Sequence, residues 1–210
     1  METIIYITRH GESIANKTGT FTGSTNVPLS ELGRKQAQKI CEFLEDKNIV
    51  AIYSSPLSRA VDTVSPLGEK IGKQVIADDR FIELHFGRWE GKEKSYLSKN
   101  DAEFNKWCKF PLLAEPTEGE TAKFAAERFI GGMDELVKKH EGKSFVISAH
   151  GGIILSVMCG IGYLSENASA NDIPRNASVT KLIYRDGKYS VEYYAYEEYL
   201  KELKADFKYV

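Results

Sequence analysis

The sequence is short of several things, and each shortage removes a class of protein. Three cysteines, Cys41, Cys108 and Cys159, are spread over 210 residues. Sparse, odd in number and far apart, they form neither a disulfide framework nor a zinc-ribbon spacing, and they read as ordinary thiols of a reducing compartment. There is no run near the roughly 20 apolar residues a bilayer-spanning helix needs. The start, Met1-Glu2-Thr3-Ile4-Ile5-Tyr6-Ile7, is too short and too polar for a signal peptide, so the cytoplasm is the expected location. Excess charge of one sign is missing as well: the formal net charge is −2, without basic blocks, which predicts neither nucleic acid nor a membrane surface as partner. No Walker A, GxGxxG, GxSxG, HExxH or CxxC pattern occurs. Repeats, low-complexity tracts and linkers are absent too. What remains is a chain with 42% hydrophobic and 28% charged residues, which suits an ordinary globular domain.

Along the chain, apolar β-branched runs alternate with segments of helical periodicity. Residues 3–8 read as a buried strand that delivers Arg9 and His10 at its end. Residues 16–29, rich in Asn, Thr, Gly and Ser, read as a loop, and Ser30 as the N-cap of a helix to about Asp46. Residues 49–53 form a second strand, followed by a helix with Pro56 near its first position, which Pro66 is expected to kink or end. A short strand is expected from Gln74 to Ala77. Residues 85–118, with Trp89, Trp107 and a proline-containing stretch, read as a short irregular insertion. Gly119-Glu120-Thr121 opens a long helix to about His140, residues 144–149 form a strand, and a helix follows His150. Asp186-Gly187 joins strands 178–184 and 188–195 in a hairpin, and a helical tail runs from Glu197 to about Asp206. The alternation predicts one α/β domain over 1–210, a three-layer α/β/α sandwich with a mostly parallel central sheet.

The chain has four histidines. Two of them, His10 and His150, share one context: each follows an apolar strand and precedes glycine. The carboxyl edge of an open α/β sheet is where ligands bind. Arg9 adjoins His10, and Arg59 lies one turn into the helix after the second strand. A guanidinium fork matches a phosphate dianion. Glu83 sits among Phe81, Ile82 and Leu84, a setting that raises a carboxyl pKa and makes a proton donor. The turns at Gly11 and Gly151-Gly152 let backbone N–H groups approach an anion. Two histidines could ligate a metal, but an adjacent arginine opposes a cation, so no metal site is expected.

These residues resemble the histidine phosphatase superfamily, the phosphoglycerate-mutase-like enzymes and their phosphatase relatives. Thr8-Arg9-His10-Gly11-Glu12-Ser13 is similar to the family's Arg-His-Gly signature. Asn16, Phe21-Thr22-Gly23, Pro28-Leu29-Ser30 and Gly33 resemble its next block. Ser54-Ser55-Pro56-Leu57-Ser58-Arg59-Ala60, then Glu83 with Trp89-Glu90-Gly91, then Ser148-Ala149-His150-Gly151-Gly152 follow in the family's order, and Asn176 to Thr180 resembles a stretch near its last strands. The resemblance implies that His10 becomes phosphohistidine and that Arg9, Arg59 and His150 bind the transferring phosphoryl group. It makes Glu83 the general acid and then the base. Asn16, Thr22, Gly23 and Gly151 would line the same pocket, and neither metal nor organic cofactor would be needed. The substrate it implies is a small phosphorylated metabolite.

Within the family, a phosphatase is expected over a cofactor-dependent mutase. Family mutases carry a longer insertion with a Trp-Arg-Arg stretch, where this chain has Trp107-Cys108-Lys109. A non-catalytic binding domain is disfavoured because every catalytic position is filled. Phe86, Trp89, Tyr96, Phe104 and Trp107 are candidate walls of the leaving-group pocket. The oligomeric state has no signature in the sequence.

Overall fold

The computed structural model describes residues 1–206, with side chains through residue 203. Its centre is a six-stranded sheet built from β1 (Thr3–Arg9), β2 (Ile49–Ser54), β3 (Val75–Ala77), β4 (Ser144–Ala149), β5 (Val179–Arg185) and β6 (Lys188–Tyr196). The spatial order is β3-β2-β4-β1-β5-β6. The first four of these strands run parallel, and β5 and β6 are antiparallel. The helices are α1 (Ile14–Thr18), α2 (Glu31–Leu44), α3 (Ser58–Ile71), α4 (Lys94–Asn100), α5 (Ala102–Lys109), α6 (Ala122–Lys139), α7 (Gly151–Gly160) and α8 (Lys201–Asp206).

Two apolar clusters sandwich the sheet, and the two-residue period of the strands sorts side chains between them. Ile5, Ile7, Tyr53, Phe145 and Ile147 face α6 and α7. Tyr6, Ile52 and Val146 face α2 and α3. Both faces are covered, which explains why β4 is buried at all six positions and reads as an apolar run with no alternation. The hairpin turn has positive φ at Asp186 and Gly187, as a two-residue turn between twisted strands requires.

Several expectations are corrected. Residues 14–18 are helical, overlapping the start of the 16–29 stretch read as loop. Ser13 caps this turn by accepting from the Asn16 N–H, and the Asn16 side chain reaches back to the Ser13 N–H. Helix α3 starts two residues after Pro56 and continues through Pro66 to Ile71. Packing overrides the lost N–H there: Val64 and Leu67, on either side of the proline, are both fully buried. The insertion is more regular than its composition suggests, with α4 and α5 inside it. Asp101 caps α5 through Phe104 N–H and also accepts from the Trp89 indole N–H at 2.9 Å.

The register aligns the carboxyl ends of the strands. Thr8 and Ser54 both lie beside Ser148, and Arg9 lies beside Ala149. The loop after β1 packs directly on the start of α2. A Cβ on Gly33 would stand 2.0 Å from the Glu12 carbonyl oxygen, so only glycine fits. No helix among the described residues is long and apolar enough to cross a membrane.

Candidate active site

The strand register fixes the centre of the site. Because β1 and β4 are neighbours that end level, His10 and His150 leave the sheet side by side, with ring centroids 5.1 Å apart and planes at 61°. The His10 N–H donates to the Ala149 carbonyl at 2.9 Å, which ties the two strand ends together. His10 Nδ1 lies 2.6 Å from the Gly11 carbonyl oxygen. A carbonyl only accepts, so Nδ1 carries the proton and Nε2 keeps its lone pair. That lone pair faces the Arg59 Nε–H at 3.3 Å. Burial, then the charges of Arg59 and Arg9, hold the His10 pKa well below 6.5, so the ring is neutral at neutral pH.

Arg59 is 1% exposed and makes no ion pair among the described residues. Its two terminal nitrogens donate to main-chain carbonyls of the 21–29 loop, Gly23 at 2.6 Å and Thr25 at 2.8 Å. Burial lowers its pKa to about 10, which leaves it charged. Arg9 donates to the Pro174 carbonyl at 2.5 Å, while its Nε is buried without a partner among the described residues. His150 Nε2 pairs with Ser55 Oγ at 2.7 Å, and its Nδ1 is likewise unpartnered. Burial and the charge of Arg59 push the His150 pKa well below 6.5. Two arginines beside neutral, incompletely hydrogen-bonded imidazole form a site whose polar groups call for an anion.

Glu83 is 7% exposed. Its carboxyl lies at the N-terminus of α7, accepting from Gly152 N–H at 3.0 Å and Ile153 N–H at 2.7 Å, and it also accepts from Leu84 N–H at 3.1 Å. Burial raises its pKa; these three donors and the charge of Arg59 pull the other way, and burial prevails.

A cavity of about 420 Å³ opens over this cluster, and its wall includes Arg9, Asn16, Thr22, Glu83 and Gly151. His10, Arg59 and His150 are buried beside these wall residues and do not line the cavity. Gly23 contributes its carbonyl to Arg59. Gly151 gives space, since a Cβ there would fall 3.1 Å from the Arg9 guanidinium carbon. Of the candidate aromatic walls, Phe86, Phe104 and Trp107 line the cavity, packed edge-on around Phe21. Trp89 is buried behind them at 1% exposure, and Tyr96 is 54% exposed and does not line the cavity.

Residues that sequence reasoning did not assign also shape the site. Asn176 Nδ2 lies within hydrogen-bonding distance of the carbonyls of His10 and Gly11 and of Asn16 Oδ1, at 3.1 to 3.3 Å. Thr63 Oγ1 accepts from the Gly11 N–H at 2.9 Å. Lys94 and Arg175 line the cavity. Lys94 has no acidic partner among the described residues. Burial of its ammonium, then the charge of Arg9, lowers its pKa. It is one of several cations in the insertion, and nothing local in the sequence distinguishes it. No group of three or more His, Cys, Asp or Glu side chains that could hold a metal ion occurs among the described residues.

Comparison with known proteins matches this arrangement. The metal-independent phosphoserine phosphatase of Arabidopsis thaliana is 31% identical over 205 residues, covering 90% of this chain and 80% of that one. A 2,3-bisphosphoglycerate-dependent phosphoglycerate mutase of Gloeobacter violaceus is 31% identical over 169 residues, 77% of each chain. Among solved structures, the phosphoserine phosphatase of Entamoeba histolytica in complex with 3-phosphoglyceric acid superposes with a TM-score of 0.83 at 25% identity, covering 94% of this chain and 99% of that one. The sequence profile of the histidine phosphatase superfamily, branch 1, spans residues 5–197. The paired strand-end histidines, the sheet that aligns them and this match together place the chain in the histidine phosphatase superfamily.

Proposed function

We propose that this protein is a metal-independent phosphatase that hydrolyses small phosphomonoesters through a phosphohistidine at His10. The observation that carries this reading is the His10 ring: neutral, with its proton held on Nδ1 by Gly11 and its Nε2 lone pair turned toward Arg59. In the first step Nε2 attacks phosphorus, the bond from phosphorus to the leaving oxygen breaks, and the Glu83 carboxyl gives its proton to that oxygen. In the second, water attacks the phosphohistidine, the Glu83 carboxylate takes the water's proton, and the P–N bond breaks to return neutral His10. Arg9, Arg59 and the free Nδ1 of His150 stabilise the charge on the transferring group, which is most of what phosphoryl transfer asks of a protein. Splitting the displacement in two lowers each barrier, and Glu83 contributes roughly 100- to 10,000-fold.

Lys94 and Arg175 on the cavity wall favour a leaving group that is itself anionic, such as one bearing a carboxylate. The Entamoeba relative is described with 3-phosphoglyceric acid, which has that chemistry. The cysteines are free and fit the cytoplasm. His10→Ala should abolish both phosphate release and an acid-labile, ³²P-labelled phosphoenzyme; label trapped on another residue would overturn the assignment.

The mutase reading is kept in view by the Gloeobacter relative. It needs the bisphosphorylated intermediate to stay bound while it turns around, and besides Arg9 the cations on the cavity wall are Lys94 and Arg175, one lysine and one arginine that is already paired with Glu197, not paired forks. With 3-phosphoglycerate and catalytic 2,3-bisphosphoglycerate, phosphate release should therefore outrun formation of 2-phosphoglycerate. The opposite ratio would make the chain a mutase.

A further inference from the structure

The general-acid carboxyl is carried by a segment that makes no regular secondary structure: residues 82–86 lie between two short 3₁₀ turns, Asp79–Phe81 and Gly87–Trp89. Something other than a strand or helix ladder must hold its backbone still. Arg128 of α6 does so. Its side chain is 17% exposed and grips Glu120, 14% exposed, through both arms, Nε to Oε1 at 2.8 Å and Nη2 to Oε2 at 2.9 Å. The same guanidinium donates to the carbonyl of Arg80 at 2.8 Å and to that of Glu83 itself at 3.3 Å. Glu120 closes the bracket, because its own N–H donates to the carbonyl of His85 at 2.7 Å.

Three carbonyls, at 80, 83 and 85, are thus fastened to residues 120 and 128. The carboxyl end of Glu83 is fastened separately, to the first N–H groups of α7. Since α6 and α7 pack on each other, backbone and carboxyl of Glu83 are held by one rigid pair of helices. We propose that Arg128, with Glu120 as its counter-ion, is a positioning residue for general acid catalysis: it fixes the Glu83 backbone so that the carboxyl meets the leaving oxygen. The fork is essential to this role. A lysine keeps a charge beside Glu120, but its compact ammonium cannot span the Glu120 carboxylate and the carbonyls of residues 80 and 83 as the spread guanidinium nitrogens do. This inference rests on Glu83 being the acid, and the test separates the two.

The measurement is kcat/KM, which reports the steps through departure of the leaving group, for β-glycerophosphate and for p-nitrophenyl phosphate. The first substrate needs its leaving oxygen protonated, and the second scarcely does. Glu83→Gln should lose far more on β-glycerophosphate. Arg128→Lys should show the same selectivity, losing at least about tenfold on β-glycerophosphate and less than about threefold on p-nitrophenyl phosphate, as misplacement of one catalytic group would. In the Glu83→Gln background the Arg128→Lys loss should vanish, because a mispositioned acid matters only when there is an acid. If the Arg128 variant is unstable at the assay temperature, Glu120→Gln, assayed below its melting temperature, must show the same selectivity. Equal losses on both substrates, or losses that add fully to those of Glu83→Gln, would overturn the positioning role and leave the acid assignment standing. Glu83→Gln losing both substrates alike would overturn the acid assignment and this role with it.

Discussion

Acidification should destabilise this protein through the site itself. His10 and His150 are 5% and 0% exposed, and both have pKa values held well below 6.5 by burial and by the arginines beside them. In the unfolded chain each returns to about 6.5. Below that value the unfolded state binds protons that the folded state refuses, so stability falls as pH falls. Between pH 7.5 and 5.5 a histidine that stays neutral in the fold loses about 1.4 kcal/mol of stability, and the pair about 2.7 kcal/mol. Glu83 works the other way, since its raised pKa makes the fold the stronger proton binder. His140, only partly buried, shifts in the same sense as the site histidines. The difference between variants isolates the site from both. His10→Asn keeps a donor for the Gly11 carbonyl, and His150→Gln keeps a polar atom near Ser55. Each should shrink the loss between pH 7.5 and 5.5 by about 1.4 kcal/mol, read from urea denaturation in phosphate-free buffer. Variants that lose as much stability as the parent over the same interval would refute the claim that these imidazoles are excluded from protonation.

The pH profile of kcat/KM should be bell-shaped. The ascending limb follows deprotonation of His10, below 6.5; the descending limb follows ionisation of Glu83, above 4.5. Glu83→Gln should remove the descending limb, and a descending limb that survives in this variant would contradict the assignment. Gly23→Ala should weaken phosphate binding, read as a raised inhibition constant for inorganic phosphate. The new Cβ would stand 2.1 Å from the Leu84 carbonyl oxygen, so the loop that holds Arg59 must move; unchanged inhibition would show that Arg59 does not depend on this loop. Treatment with EDTA should leave activity intact, because the two arginines already neutralise the phosphoryl group; activity lost on chelation and restored by a divalent ion would overturn the metal-independent chemistry.

The sequence by itself determined the architecture and pointed to the residues that the fold gathers at one sheet edge. Hydrophobic period separated strands from helices, and the placing of His10 and His150 after apolar runs put both at one sheet edge, because parallel strands end on the same side. It did not determine that the two rings touch. That follows from β4 inserting between β2 and β1, a pairing between residues about 140 apart along the chain that no local pattern records. Pro66 illustrates the same limit: local propensity argues for a break, and burial of Val64 and Leu67 on either side carries the helix through. The insertion hid its helices because α4 and α5 are short and owe their order to packing around Phe21 and to Asp101. Glu83 was legible as a carboxyl among apolar residues whose pKa burial would raise, but the groups that oppose that shift were not. The first N–H groups of α7 and the charge of Arg59 come from distant parts of the chain. Lys94, Asn176 and Arg128 are ordinary surface-type residues by their local context. Only the folded chain brings them to the site, one to the cavity wall, one onto the loop after β1, and one onto the backbone around Glu83.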